Sequence, residues 1–158
     1  MNITIISVGK IKEKYFTAAI DEYSKRLSRF AKLNIIEVAD EKIPDNASEK
    51  EMEQIKEKEG NKILAKLPQN SFVVTLCIEG KEYSSEELAK KIADISMTSS
   101  HITFIIGGSL GLSDTVKSKS ALRLSFGKMT LPHQLIRVVL LEQIYRAFKI
   151  NNNESYHK

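Results

Sequence analysis

Two glycine-bearing turns carry the first chemical signal. Gly107-Gly108-Ser109-Leu110-Gly111 follows the apolar run His101 to Ile106, and Gly127-Lys128-Met129-Thr130-Leu131-Pro132-His133 follows Leu122 to Phe126. Without a β-carbon, glycine lets backbone amides come close to a ligand. Two such turns, each just beyond a strand, suggest loops that together cradle one small molecule. Ligands of open α/β sheets sit beyond the carboxyl ends of strands in this way. Of three histidines, His133 opens a helix and His157 lies in a polar tail, so both can reach such a site. His101, at the start of a strand, reads as structural. The three show no metal-ligand spacing, and no metal is expected. There is no nucleophile elbow, P-loop or HExxH pattern, so covalent catalysis has no visible apparatus.

The first glycine turn superficially matches a dinucleotide fingerprint, but the order is GGxxG and it follows the fourth strand. About twenty residues on, where a ribose-binding acid belongs, stands Lys128. A nucleotide-dependent oxidoreductase is therefore a weak reading.

The elements that must position these turns follow from periodicity. Asn2 to Val8 reads as a buried strand closed by Gly9, and Tyr15 to Phe30 as a helix through Phe16, Ala19, Ile20, Tyr23 and Leu27. Leu33 to Val38 is a second strand. Asp40 to Asp45 is a connection, and Ala47 to Leu67 a charged helix. Its acidic cluster, Glu49, Glu51, Glu53, Glu57 and Glu59, is expected on an exposed face. Phe72 to Ile78 is a third strand, ended by a Glu79-Gly80 turn. Ser84 with Glu87 forms a capping-box pattern before a helix through Leu88, Ile92 and Ile95. His101 to Ile106 is the fourth strand, Ser113 to Ser120 a short helical stretch, and Leu122 to Phe126 the fifth strand.

The last helix, about Pro132 to Ile150, is apolar on nearly every side, its charges before the tail being Arg137, Glu142, Arg146 and Lys149. Such a helix usually meets a partner surface as well as a core. Strands alternating with helices predict an α/β fold with a mostly parallel sheet flanked by helices, in one domain spanning residues 1 to 158.

Composition narrows the setting. The chain has 158 residues, 42% hydrophobic and 28% charged, which suits one ordinary globular core. No apolar run approaches the roughly 20 residues of a membrane span. The first residues read as a strand, not a signal peptide. The single Cys77 excludes an internal disulfide, fits a reducing cytoplasm, and is expected as a small core residue. The net charge of +4 is unevenly spread: residues 115–158 hold eight Lys/Arg against two Asp/Glu. Basic residues gathered near a candidate site point to a polyanionic partner.

Several stretches together resemble the ribosomal RNA large subunit methyltransferase H family of the SPOUT superfamily. They are Ser7-Val8-Gly9-Lys10, Lys58-Glu59-Gly60, Ile106 to Leu112, Ser125 to Gln134, Arg137 to Phe148 and Tyr156-His157. The likeness covers essentially the whole chain, and these motifs in combination are specific. It implies a single-domain SPOUT-type fold with a C-terminal trefoil knot, a homodimer, and S-adenosyl-L-methionine held bent in the knot. It implies methylation of N3 of a pseudouridine in 23S rRNA, with the ribosome as the setting. Cofactor contacts are then expected at Leu76, Gly108, Gly127, Lys128, Met129, Thr130, Leu131 and Pro132. His133, Arg146, Tyr156 and His157 are expected near the RNA. His157 would serve as base, or simply as a positioning group for RNA. A second class stays open at this point: a non-catalytic dimeric module that binds rRNA or the ribosome.

Overall fold

A computed structural model describes all residues, 1–158. Five strands, β1 (Asn2–Val8), β2 (Lys32–Val38), β3 (Phe72–Glu82), β4 (His101–Ile106) and β5 (Leu122–Ser125), form one sheet in the order β2-β1-β4-β3-β5. Every pairing is parallel. Parallel strands need helical crossovers, and five helices supply the cover: α1 (Lys14–Leu27), α2 (Glu49–Lys66), α3 (Ser85–Ser96), α4 (Asp114–Ser118) and α5 (His133–Asn151).

The strand residues divide between two cores. Ile3, Ile5, Val74, Ile102, Phe104 and Ile106 face one side, under Leu27 of α1, Leu88 and Ile92 of α3, and Leu140, Leu141 and Ile144 of α5. Ile6, Val8, Val73, Cys77 and Ile105 face the other, under Ile63 of α2 and Val116 of α4. Burial on both faces explains why the strands read as continuous apolar runs and not as alternation. Cys77 is the small buried residue its strand suggested, and burial pushes its thiol pKa up.

The helix starts are chemically explicit. Ser84 with Glu87 forms the expected capping box, and Ser48 with Glu51 forms a second one at the head of α2. Gly60 of α2 permits a close crossing: a β-carbon there would lie 2.6 Å from Ser113 Oγ, the cap of α4.

Two sequence expectations need correction. Glu59 is not on an exposed face: it is 5% exposed, and its Oε2 accepts the Glu41 amide (2.9 Å). Its charge among neighbouring acids concealed that role, and burial pushes its carboxyl pKa up. Nor does β3 end at a Glu79-Gly80 turn. The strand runs on to Glu82 with a register jump, so that Leu76 and Lys81 both pair with Leu124 of β5. The four intervening residues bow outward. Gly80 is needed where the chain returns, because a β-carbon there would sit 2.7 Å from the Arg123 carbonyl oxygen.

Candidate active site

The carboxyl ends of β3, β4 and β5 leave a cleft, and the bowed part of β3 forms one wall. Leu76, Cys77 and Ile78 line it from β3, Ile106 and Gly107 from the end of β4, and Leu124 and Phe126 from β5. Gly127, Met129, Thr130 and Leu131 close it from the following turn, with His133 and Ile136 from the start of α5. The Ser125 hydroxyl fixes the two walls together. It donates to the Ile78 carbonyl (2.9 Å) and accepts the Gly127 amide (3.1 Å). Gly127 has φ +123°, a conformation side chains resist.

The cleft has a volume of about 130 Å³. An apolar cavity of ~150 Å³ accepts one benzene ring. The cleft therefore suits one flat ring inside, with the remainder of a larger ligand at the mouth. Around the rim, Met129 is 85% exposed and Ile78 53%. Such apolar side chains beside a ring-sized slot are the natural cover of a ligand.

At the mouth, α5 is tied to the centre of the sheet by Arg137. Its Nη2 donates to the Val8 and Gly9 carbonyls (2.8 and 2.9 Å), and its Nη1 pairs with Glu37 (2.8 Å). The residue is buried, and its Nε has no partner. The sequence shows Arg137 only as a charge in an apolar helix; that contrast was the available signal of a docked cation. One turn before it, His133 is half-buried, and its pKa is held below the ordinary 6.5, by burial first and then by Arg137, with Asp40 opposing.

That shift gives a prediction. With the folded value depressed, the unfolded chain binds the extra proton between the two values. The stability linked to His133 is thus complete above the unfolded pKa and is lost as pH falls through the depressed one. His133→Gln should flatten this part of the profile, checked by urea midpoints from about pH 7 downward. Equal acid sensitivity in both proteins would refute the linkage.

Of the residues expected at a cofactor, Leu76, Gly127, Met129, Thr130 and Leu131 line the cleft, together with His133. Lys128 and Pro132 lie in the same turn without lining it. Gly107 lines the cleft, whereas the missing β-carbon of Gly108 would face Val8 Cγ1 (3.2 Å) and Glu59 Oε1 (3.3 Å).

The tail residues stand elsewhere. From His133 to Asn151, α5 extends on the order of 27 Å at 1.5 Å per residue. Arg146 lies about 20 Å along the axis from His133, and none of Arg146, Tyr156 and His157 lines its own chain's cleft. Tyr156 stacks over the Arg146 guanidinium at 4.6 Å and meets Tyr145 edge-on at 5.0 Å. Its hydroxyl donates to Glu142 Oε2 (3.4 Å). Arg146 bonds Glu142 and His157, and His157 bonds Glu86 on α3. Asn153 takes a left-handed conformation that ends the helix, Asn151 donates to the Ala89 carbonyl, and Glu154 pairs with Arg29. Asparagines cap and reverse chains, which is how a run this polar packs against the helices. His101 is structural in the sense expected, its Nε2 meeting Thr4 Oγ1 at 2.7 Å.

No three His, Cys, Asp or Glu side chains gather as metal ligands would, and no helix is long and apolar enough to cross a membrane. A family model described as "Predicted SPOUT methyltransferase" matches residues 1–157. Proteins named ribosomal RNA large subunit methyltransferase H are similar over the full length of both chains. Those of Clostridioides difficile (strain 630) and Clostridium novyi (strain NT) are 60% and 62% identical, and that of Clostridium botulinum (strain Kyoto / Type A2) is 64% identical. Among solved structures, a probable methylase family protein from Haemophilus influenzae Rd KW20 superimposes with a TM-score of 0.52 at 12% identity. That match covers 96% of this chain and 66% of the other, and it speaks to fold alone.

Proposed function

This chain belongs to the SPOUT methyltransferase family, and from that premise we propose that it methylates N3 of a pseudouridine in 23S rRNA. The reading has S-adenosyl-L-methionine as methyl donor, the assembled ribosome as substrate, a homodimer as working unit and the cytoplasm as setting. The observation that carries it is the cleft itself. It is ring-sized, apolar, and walled by backbone turns at the carboxyl ends of three parallel strands. Leu76, Phe126, Met129 and Leu131 suit the faces of an adenine, and backbone groups of Gly107 and Gly127 suit its edges and the ribose.

When bound, the cofactor supplies an electrophilic methyl group on a sulfonium; the rest falls to this chain. The residues must align the base for in-line attack and remove a proton from N3–H, a weak acid. A neutral imidazole can take that proton, and a nearby guanidinium can hold the developing anion. His157 and Arg146 are the pair we assign to these tasks. Tyr156 orients the tail, and His133 faces the cofactor side.

The knot belongs to the same reading. From the edge strand β5 the chain crosses the carboxyl ends of β3 and β4 before Arg137 docks beyond β1. A threaded C-terminus needs that crossing.

Titration calorimetry with S-adenosyl-L-methionine should give saturable heat at one site per cleft. Methyl transfer to ribosomes lacking the modification should then exceed transfer to isolated 50S subunits. Absence of saturable heat, with ribosome binding intact, would make the protein a binding module and sink the enzymatic reading.

A further inference from the structure

The tail network contains a residue that the reaction as described does not use. Glu86 stands in the first turn of α3, and its Oε1 lies 2.6 Å from His157 Nε2. On the other side of the ring, Arg146 Nη1 lies 3.0 Å from Nδ1. These two contacts fix the protons of the imidazole. A guanidinium has donors only, so Nδ1 accepts and carries no hydrogen. The Glu86 carboxyl is held below the usual carboxylate range, chiefly by its hydrogen bond with His157. As a carboxylate it only accepts, so Nε2 carries the hydrogen and donates.

We propose that Glu86 is a positioning residue for methyl transfer: it selects the neutral tautomer of His157 in which Nδ1 is the free base, capped by Arg146 until substrate arrives. The inference rests on the reading of His157 as base. In it, the incoming base displaces Arg146 from Nδ1. The N3 proton moves to Nδ1, and the N3 lone pair is left for attack. The ring becomes an imidazolium with Nε2–H still on Glu86, whose negative charge stabilises it. Arg146, freed from the ring, remains on Glu142 (2.8 Å) beside the charge developing on the nucleobase. A carboxylate that holds a histidine tautomer and steadies its charged form is the logic of the Ser-His-Asp triad, transferred here to a tail.

The charged surroundings of the ring are few. Facing it are Glu86 from α3 and Arg146 from α5. Glu142 is one bond further, through Arg146 and Tyr156. From α1, Tyr23 and Arg26 stand near Tyr156, not near the imidazole. Glu86 is thus the only carboxylate in contact with His157.

The test reads the tautomer directly, in the full-length protein. Ring nitrogen NMR of His157 should show Nε2 protonated and Nδ1 bare. Glu86→Gln keeps an acceptor at the same reach and should keep that tautomer. Because Arg146 also keeps Nδ1 bare, the tautomer is compared without it: Arg146→Leu should keep the Nε2–H form through Glu86, and adding Glu86→Leu should yield a mixture. In methyl transfer to ribosomes, Glu86→Leu should lower kcat about 10-fold, less than loss of the base itself, which is worth ~10²-fold or more. Glu86→Gln should fall between, with KM for the cofactor unchanged in both. A wild-type tautomer in the double variant, or a wild-type kcat in Glu86→Leu, overturns the proposal. Failure of the underlying reading looks different: His157→Ala would then methylate at the full rate, whatever tautomer the unliganded ring shows.

Discussion

Removing Tyr156 to Lys158 lowers methyl transfer to ribosomes by ~10²-fold or more, with cofactor affinity changed by less than about 3-fold, under ~0.7 kcal/mol. The separation of effects follows from distance. The deleted residues sit at the far end of α5, a helix on the order of 27 Å long, and none of them lines the cleft. On the proposed reading, what is lost is the proton acceptor, together with the aromatic ring stacked on Arg146. The deletion also uncovers Tyr145 and takes His157 from Glu86 and from Arg146, which keeps its pair with Glu142. A modest drop in melting temperature is expected, on the order of the 0.5–1.5 kcal/mol attributed to an aromatic pair. Activity must therefore be measured well below the melting point. Single-turnover transfer with saturating cofactor isolates the chemical step. A truncated protein working at the normal rate would mean that another group handles the proton.

Much of this arrangement is legible in the linear chain, for identifiable reasons. Strands buried on both faces leave apolar runs, so all five were found within a few residues. Ser84 and Glu87 announce a helix start because the cap is local. The features that escaped are set by distant partners. Glu59 looks like one of five solvated acids until the Glu41 amide and the first glycine turn, at Gly108, close over it. The bow in β3 depends on β5, some 40 residues later, and only Gly80 hints at it. Arg137 becomes meaningful once the carbonyls of Val8 and Gly9 lie within its reach, about 130 residues upstream. The turn at Gly127, which lines the cleft, stands out in the chain because a strand, a glycine and a helix start are all local signals. Gly107 and Gly108 could not be told apart, because which one faces the cleft is decided by packing.

Val139→Arg should turn the protein into folded monomers that bind cofactor weakly or normally but no longer methylate ribosomes. Leu135, Val138 and Val139 form a stripe on α5 that is only half-buried, and they take no part in the core that covers Ile136, Tyr145 and Phe148. Continued at helical spacing, the stripe passes Glu142 and ends at Arg146, so it runs from the cleft to the tail network. Two copies related by a two-fold axis can pair such stripes antiparallel, residue i against j and j against i. That pairing would set each tail against the partner's cleft; no tail residue lines its own. A buried arginine at the centre of this surface should weaken association by several kcal/mol, visible as monomers in sedimentation at micromolar concentration. Mixing separates trans from cis sites. A tail-dead chain, His157→Ala, refolded with a cleft-dead chain, Gly127→Val, should regain about one quarter of wild-type activity, since half the dimers are mixed and each holds one complete trans site. If tails served their own clefts, no mixture would regain anything.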